Sequence, residues 1–216
     1  MILLNRGGVL NKPNISFVDE DSSVKYLVDI KIEYEYVDLG LPSGLKWATC
    51  NVGANSPEEY GLYFAWGETT GYTAEQVRSG VRVFNFASYT ASAISADLTL
   101  AQDAAHVNLG GNWRMPTKDD WQELIDNCNV VWTDDYNGTM VRGRVFTSKV
   151  NGKSVFFPAA GWGYNSSVDF VGSHGNYLSA SWYSSTDAWY LYFNSGSQTL
   201  GTLYRYCGYS VRGVCE

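Results

Sequence analysis

PAAGWGYNSSVDFVGSHGNYLSASWYSSTDAWYLYFNSGSQTLGTLYRYCGYSVRGVCE, residues 158–216, has a composition unlike the rest of the chain. It holds eight of the sixteen Tyr and thirteen of the aromatics, with ten Ser and eight Gly and neither Lys nor Met. Tyr, Ser, Gly and Asn are favoured at antibody-like binding surfaces, because a Tyr ring gives large contact area at small entropy cost and small residues adapt around it. Two readings stay open on composition: a recognition surface, or a Tyr-rich β-sheet. Strand-like runs at 188–194, 199–206 and 209–215 are separated by Gly, Asn and Ser.

Outward from that stretch, further strands are expected at 130–132, 141–148 and 154–158, with Asn151-Gly152 as a hairpin signal. The clearest helix is TKDDWQELIDNC (117–128). Thr117 and Asp120 make a capping box, and Trp121, Leu124, Ile125 and Cys128 fall at i, i+3, i+4 and i+7. A second short helix is expected at 97–107, stopped by Leu109-Gly110-Gly111. Another is expected to start at Ser56-Pro57-Glu58-Glu59. Residues 71–96 show no period and read as a long loop. Pro42-Ser43-Gly44 reads as a turn between strand-like halves. Residues 1–35, with loose alternation at Val24, Tyr26, Val28, Ile30, Ile32 and Tyr34, read as an arm ending in a strand.

At 216 residues the chain suits one large domain, or a domain plus an arm. A net charge of −7 with no basic run argues against nucleic-acid binding and against docking on anionic lipid. No apolar run is long enough to span a bilayer, so no membrane insertion is expected. The amino terminus lacks a charged region followed by a long apolar one, so no signal peptide is expected. Cys50, Cys128, Cys207 and Cys215 match neither a zinc spacing nor a disulfide framework. Buried free thiols are the default, with a Cys207–Cys215 bridge as the alternative.

Five phrases stand in order: VDLGLPSGLKWATCNVGA (37–54), YGLYFAWGET (60–69), GGNWRMPTKDDWQEL (110–124), FFPAAGW (156–162) and GYSVRGV (208–214). Together they resemble the FISUMP family, the Fibrobacter succinogenes major paralogous domain of gut Bacteroidota and their phages, over about residues 36–216. The resemblance implies an α+β fold, C-type-lectin-like in the broad sense shared with formylglycine-generating enzymes. Two helices and a small, twisted antiparallel sheet would lie beneath long loops.

The carboxyl end, about 160–215, is similar to the variable region of diversity-generating retroelement proteins, in which template adenines are randomised, mostly at AAC codons. Such changes cannot yield Lys, Glu, Gln, Met or Trp. Residues 1–157 contain twenty-one Lys, Glu, Met and Gln, so residues 158–215 should hold roughly eight by proportion; they hold one, Gln198. A binding face of any origin would also exclude Lys and Glu.

The resemblance implies three loops and two strands that bear the ligand face. The first loop offers Tyr164, Asn165, Asp169 and Phe170. The middle loop offers His174, Asn176 and Tyr177, and the next Tyr183, Thr186 and Asp187. Leu191 and Phe193 face the core, while Tyr190, Tyr192 and Asn194 face the ligand. Thr202, Tyr204 and Tyr206 complete the face, with the last two flanking Arg205. Arg205 and Arg212 are expected to hydrogen-bond the scaffold, and Trp182 and Trp189 to favour the core.

No nucleophile elbow, HExxH or phosphate loop is present, and Asp119-Asp120 and Asp134-Asp135 read as capping and turn residues. His174 and His106 have no metal-ligand partner near in sequence. No catalytic residue, metal, calcium or cofactor is expected. The expected function is non-enzymatic recognition of a protein or glycan receptor on a bacterial surface by a virion component, with attachment or self-association through residues 1–35. The alternative is a fixed-sequence FISUMP adhesion or glycan-binding module at the bacterial cell surface, its leader trimmed.

Overall fold

A computed structural model describes residues 16–17, 26–27 and 34–216. The strands in chain order are β1 (Ser16–Phe17), β2 (Tyr26–Leu27), β3 (Tyr36–Asp38), β4 (Lys46–Asn51), β5 (Cys128–Thr133), β6 (Gly143–Ser148) and β7 (Ser154–Pro158). They continue as β8 (Trp162–Tyr164), β9 (Ser167–Asp169), β10 (Gly175–Trp182), β11 (Asp187–Phe193), β12 (Gln198–Tyr204) and β13 (Arg212–Cys215). The α-helices are α1 (Ala74–Arg78), α2 (Ala104–Leu109) and α3 (Lys118–Asn127), with short 3-10 turns at Phe86–Ser88 and Leu100–Gln102. Three antiparallel sheets have the orders β10-β11-β12, β13-β4-β3 and β5-β6-β7; β1-β2 and β8-β9 are two-stranded ribbons. Apart from β1, β2 and residues 34–35, the expected amino-terminal arm lies outside the described residues.

The implied α+β lectin-like fold is therefore corrected. Strand takes 37% of the described residues against 15% helix, which makes the described part β-rich, and its strands are spread over several small sheets rather than one. The difference arises mainly where loops were expected. Residues 162–164, 167–169 and 175–182 are strands. Six residues of β10, 175–180, are buried on both faces, so no alternation marks the strand. The long loop of 71–96 contains α1, whose Thr73–Gln76 capping box carries the helix signal. The expected helix at Ser56 is a turn: Glu59 N–H bonds Ser56 O, and the Glu59 carboxylate accepts from Asn55 N–H instead of extending a helix. The expected element at 97–107 divides into the 3-10 turn and α2.

Helix α3 follows its sequence closely. Thr117 Oγ1 accepts from Asp120 N–H at 3.1 Å, and the Asp120 carboxylate accepts from Thr117 N–H at 2.8 Å and Arg114 Nη1 at 2.7 Å. The buried stripe sets Trp121 against Trp47, Phe157 and Tyr177. The Trp121 indole N–H donates to Leu178 O of β10, which ties the helix to one face of the β10-β11-β12 sheet. Tyr177, Leu191 and Phe193 occupy that face and are fully buried in the same cluster.

The last twelve residues thread through the rest of the protein. Trp66 N–H bonds Arg205 O, Gly208 pairs with Gly163, Tyr209 with Phe64, Ser210 with Asn176 and Leu178, and Val214 with Arg114. Arg212 is fully buried. Its guanidinium donates to Asn51 Oδ1 at 3.0 Å, to the carbonyls of Ala48 and Thr49 at 2.8 and 2.6 Å, and to Phe156 O at 2.9 Å. It also lies 4.6 Å from the Phe157 ring centroid. One side chain thus joins β4, β7 and β13. Removing a buried charged donor of this kind strands its acceptors away from water. Arg212→Leu is expected to lower unfolding free energy by roughly 3–5 kcal/mol, and Arg212→Lys to recover only part of that because one ammonium cannot span four acceptors. Urea denaturation measures both; a loss under about 1 kcal/mol for Arg212→Leu would contradict the assignment.

Candidate ligand-binding site

The second face of the β10-β11-β12 sheet is only partly covered. Register places Asn176 opposite Tyr192 and Leu178 opposite Tyr190, and Tyr190 in turn opposite Gly201 of β12. Gly201 matters sterically: a Cβ there would come within 2.9 Å of the Tyr190 ring, so its absence lets the ring lie across β12. From above, β8 and the segment around residue 208 approach the sheet. Their contact is the Gly163–Gly208 bridge, with N···O distances of 2.7 and 2.8 Å. A Cβ on either glycine would overlap the Phe84 ring.

Between these layers lies a cavity of about 340 Å³. Trp162 and Tyr164 come from β8, Tyr190 and Tyr192 from β11, and Leu203 and Tyr204 from β12. His174 and Asn176 line it from the start of β10, and Cys207 and Tyr209 from the closing segment. A hollow of about 430 Å³ elsewhere is bounded by Tyr36, Val37, Asp38, Lys153 and Ser154. It has one aromatic ring and no polar atom that is buried and unpaired, so its chemistry is that of a strand edge.

The cavity wall is a set of stacked rings. Trp162 stacks on Phe170 at 4.6 Å and lies parallel to His174 at 5.8 Å, while Phe170 stacks on His174 at 4.7 Å. Phe170 holds this position with φ 59°, a left-handed conformation that a bulky residue adopts only when its surroundings impose it. Tyr192 tilts against His174 and meets Tyr190 edge-on, and Tyr204 stacks on Tyr206. Burial pushes the Tyr190 phenol up to about 12, with Tyr192 adding a little, so it is a neutral hydroxyl at any ordinary pH. Burial likewise raises the Cys207 thiol to about 11, which keeps it protonated and a weak nucleophile. His174 is held below its ordinary value of 6.5 by burial.

Two polar atoms here have no hydrogen-bond partner among the described residues, Asn176 Oδ1 and His174 Nδ1. Asn176 is fully buried. Its Nδ2 donates to Gly161 O at 3.4 Å, which sets the orientation of the amide and leaves Oδ1 unpaired.

Of the sequence-expected residues, Tyr164, His174, Asn176, Tyr190, Tyr192 and Tyr204 come together at the cavity. Phe170 and Tyr206 support its wall through stacking. The others do not line it. Tyr177 is fully buried on the opposite face; its hydroxyl donates to Pro158 O at 2.8 Å and accepts from Asn51 Nδ2 at 3.2 Å. Thr202 pairs with Trp189, not Tyr190, so it lies on that opposite face too. Asn194 closes its own turn, its Oδ1 accepting from Gly196 and Ser197 N–H. Asp187 accepts from Thr186 Oγ1 in the turn after β10, where Tyr183 is exposed. Asn165 sits in the two-residue β8-β9 turn, and Asp169 accepts from Ser167.

Trp162, Leu203, Cys207 and Tyr209 were missed. The β11 alternation combined with the correct β12 register would have selected Leu203; nothing local marks the other three. All four cysteines are free thiols, so no Cys207–Cys215 bridge forms. Arg205 is a scaffold residue, donating to Tyr89 Oη and the carbonyls of Ala91, Ser184 and Ser185.

Residues 141–214 match the family described as a domain of unknown function, DUF8237. No curated protein and no solved structure matches the chain. The DUF8237 match includes every residue that lines the cavity and leaves out α1, α2 and α3.

The depressed His174 pKa has a measurable consequence. Its neutral form is favoured in the fold, so this contribution to stability is complete above about 6.5 and is lost as pH falls through the folded value. An NMR titration of the imidazole, assigned with His174→Gln, should give a midpoint below 6.5; a midpoint at or above that value would mean the ring is solvated.

Proposed function

We propose that the protein is a non-enzymatic recognition module that grips a protein or glycan receptor on a bacterial surface through this cavity and its rim. The observation that carries the reading is the convergence of aromatic rings on one opening, over a fully buried amide oxygen with no partner. Apolar walls with a few placed polar groups are the usual make-up of small-ligand sites. Tyr164, Phe170 and Tyr204 stand 43%, 51% and 52% exposed around it, which extends the contact surface outward. A protonated Cys207 thiol supports binding rather than nucleophilic catalysis.

The scarcity of Lys, Glu, Gln and Met in the same region supports diversification of its exposed positions by a retroelement. Residues 1–35 then serve attachment or self-association, as in a virion component. Burial divides the positions: Tyr164 and Tyr204 can vary freely, whereas Asn176, Tyr177 and Tyr209 are enclosed and must be constant. The enclosed part of the lining, Asn176, Cys207 and Tyr209, is also what favours the second reading, a fixed-sequence surface adhesion whose site has one shape.

The DNA flanking the gene separates the two. Diversification requires, beside a reverse-transcriptase gene, a near-copy of the codons for about 160–215. It should differ mainly at adenines, with mismatches at codons 164 and 204 and none at 177 or 209. Absence of the repeat leaves the fixed adhesion. Binding itself is tested by labelling a panel of Bacteroidales strains with the full chain. Tyr164→Ala with Tyr204→Ala should abolish labelling while shifting unfolding free energy by no more than about 1 kcal/mol. Unchanged labelling would show that recognition lies elsewhere.

A further inference from the structure

The lining of the cavity narrows the ligand, given that the cavity is the recognition site. No Lys, Arg, Asp or Glu lines it among the described residues. It presents aromatic rings from Trp162, Tyr190, Tyr192 and Tyr204, whose faces carry negative quadrupole charge. Its unpaired buried atoms are also electron-rich. Asn176 Oδ1 is an acceptor, and turning the amide round would set that oxygen against Gly161 O. His174 Nδ1 is unpaired in a ring that burial keeps neutral, so with the proton on Nε2 it is an acceptor too.

A complement to this surface is a group that only donates hydrogen bonds and carries positive charge. A sugar hydroxyl brings two lone pairs with its one proton, and a carboxylate brings only lone pairs. A quaternary ammonium is attracted by the rings but has no N–H for Asn176. A primary ammonium or a guanidinium meets both demands, since each is donor-only and each is drawn to aromatic faces. The net charge of −7 adds a long-range field of the same sign of preference. The exposed rings of Tyr164, Phe170 and Tyr204 offer contact beyond what a small free amine reaches. That extra surface fits a side chain projecting from a larger partner.

We propose that the cavity accepts a basic side chain, the ammonium of a lysine or the guanidinium of an arginine, presented by a partner protein. The ring faces hold the charge, and Asn176 Oδ1 takes an N–H.

The test titrates the full chain with the capped peptides Ac-GGKGG-NH2 and Ac-GGRGG-NH2, following the side-chain NMR signals of His174 and Asn176. Controls are the ε-acetylated lysine peptide, n-butylamine, tetramethylammonium and methyl glucoside. Both basic peptides should shift the two signals. The acetylated peptide and the glucoside should not, tetramethylammonium should bind more weakly than the lysine peptide, and butylamine more weakly than either peptide. Tyr192→Leu keeps an apolar wall but removes the ring face, and should weaken the lysine peptide by roughly 2- to 30-fold. Asn176→Asp should tighten it. If that variant does not fold, Tyr192→Leu and the acetylated control decide.

Equal binding of the acetylated peptide or the glucoside, or no shift with either basic peptide at millimolar concentration, overturns the proposal. Butylamine binding as tightly as the peptides overturns the partner-protein source. If bacterial labelling persists and the basic peptides fail to compete with it, this inference falls and the recognition reading stands. If labelling is absent and the cavity substitutions change nothing, the recognition reading falls as well.

Discussion

Arg212 is the point on which the architecture depends. Its charge is fully buried, and its partners are three backbone carbonyls, one amide oxygen and an aromatic ring, with no carboxylate. Backbone carbonyls cannot move without moving their strands, so the guanidinium sets β4, β7 and β13 at one spacing. Asn51 extends the network, donating to Tyr60 O and the Tyr177 hydroxyl while accepting from Arg212. Tyr177 reaches Pro158 in turn. A network of this kind is favourable only when every member is satisfied, which makes it a device for selecting one arrangement of strands. Arg205 repeats the arrangement on a smaller scale, holding the turn after β10 by its carbonyls.

The cavity is a consequence of that closure. The strand that Arg212 locks in place is the continuation of the segment 205–211, which crosses over the β10-β11-β12 sheet and pairs with β8 and β10 on its way. Glycines at 163 and 208 let the two backbones meet over Phe84. The crossing covers Leu178, Ala188 and Leu203 but leaves Tyr190 and Tyr192 half-exposed. A rigid frame with an incompletely covered aromatic face is well suited to hold side chains ready for a partner, because little conformational freedom remains to be lost on binding.

Helix α3 was legible because its signals are local. Its capping box and its i, i+3, i+4, i+7 stripe involve residues within two turns of one another. The strands 154–158 and 187–193 were legible for a similar reason: their composition or alternation is unambiguous over five to seven residues. By contrast, β10 carries apolar, polar and small residues buried together, and its Gly, Asn and Ser read as a loop. What makes it a strand is pairing on both sides, with β11 and with Ser210. The same gap explains the fold class. Strands were expected in one small sheet beneath long loops, and tertiary pairing instead converts those loops into strands of separate sheets.

The sequence by itself determined which region is rich in aromatic, small and uncharged residues, and its period of two put Leu191 and Phe193 on one side of a strand and Tyr190 and Tyr192 on the other. Which side faces the core came only from the family resemblance, and burial decides it. Tertiary structure decided which of those residues share a site. Register put Thr202 behind the sheet and Leu203 in front of it, and the crossing of the last segment brought Cys207 and Tyr209 to Tyr190. It also left Asn176 Oδ1 buried without a partner. These are contacts between residues far apart along the chain, set by strand pairing and by close packing, and no local pattern of residues encodes them.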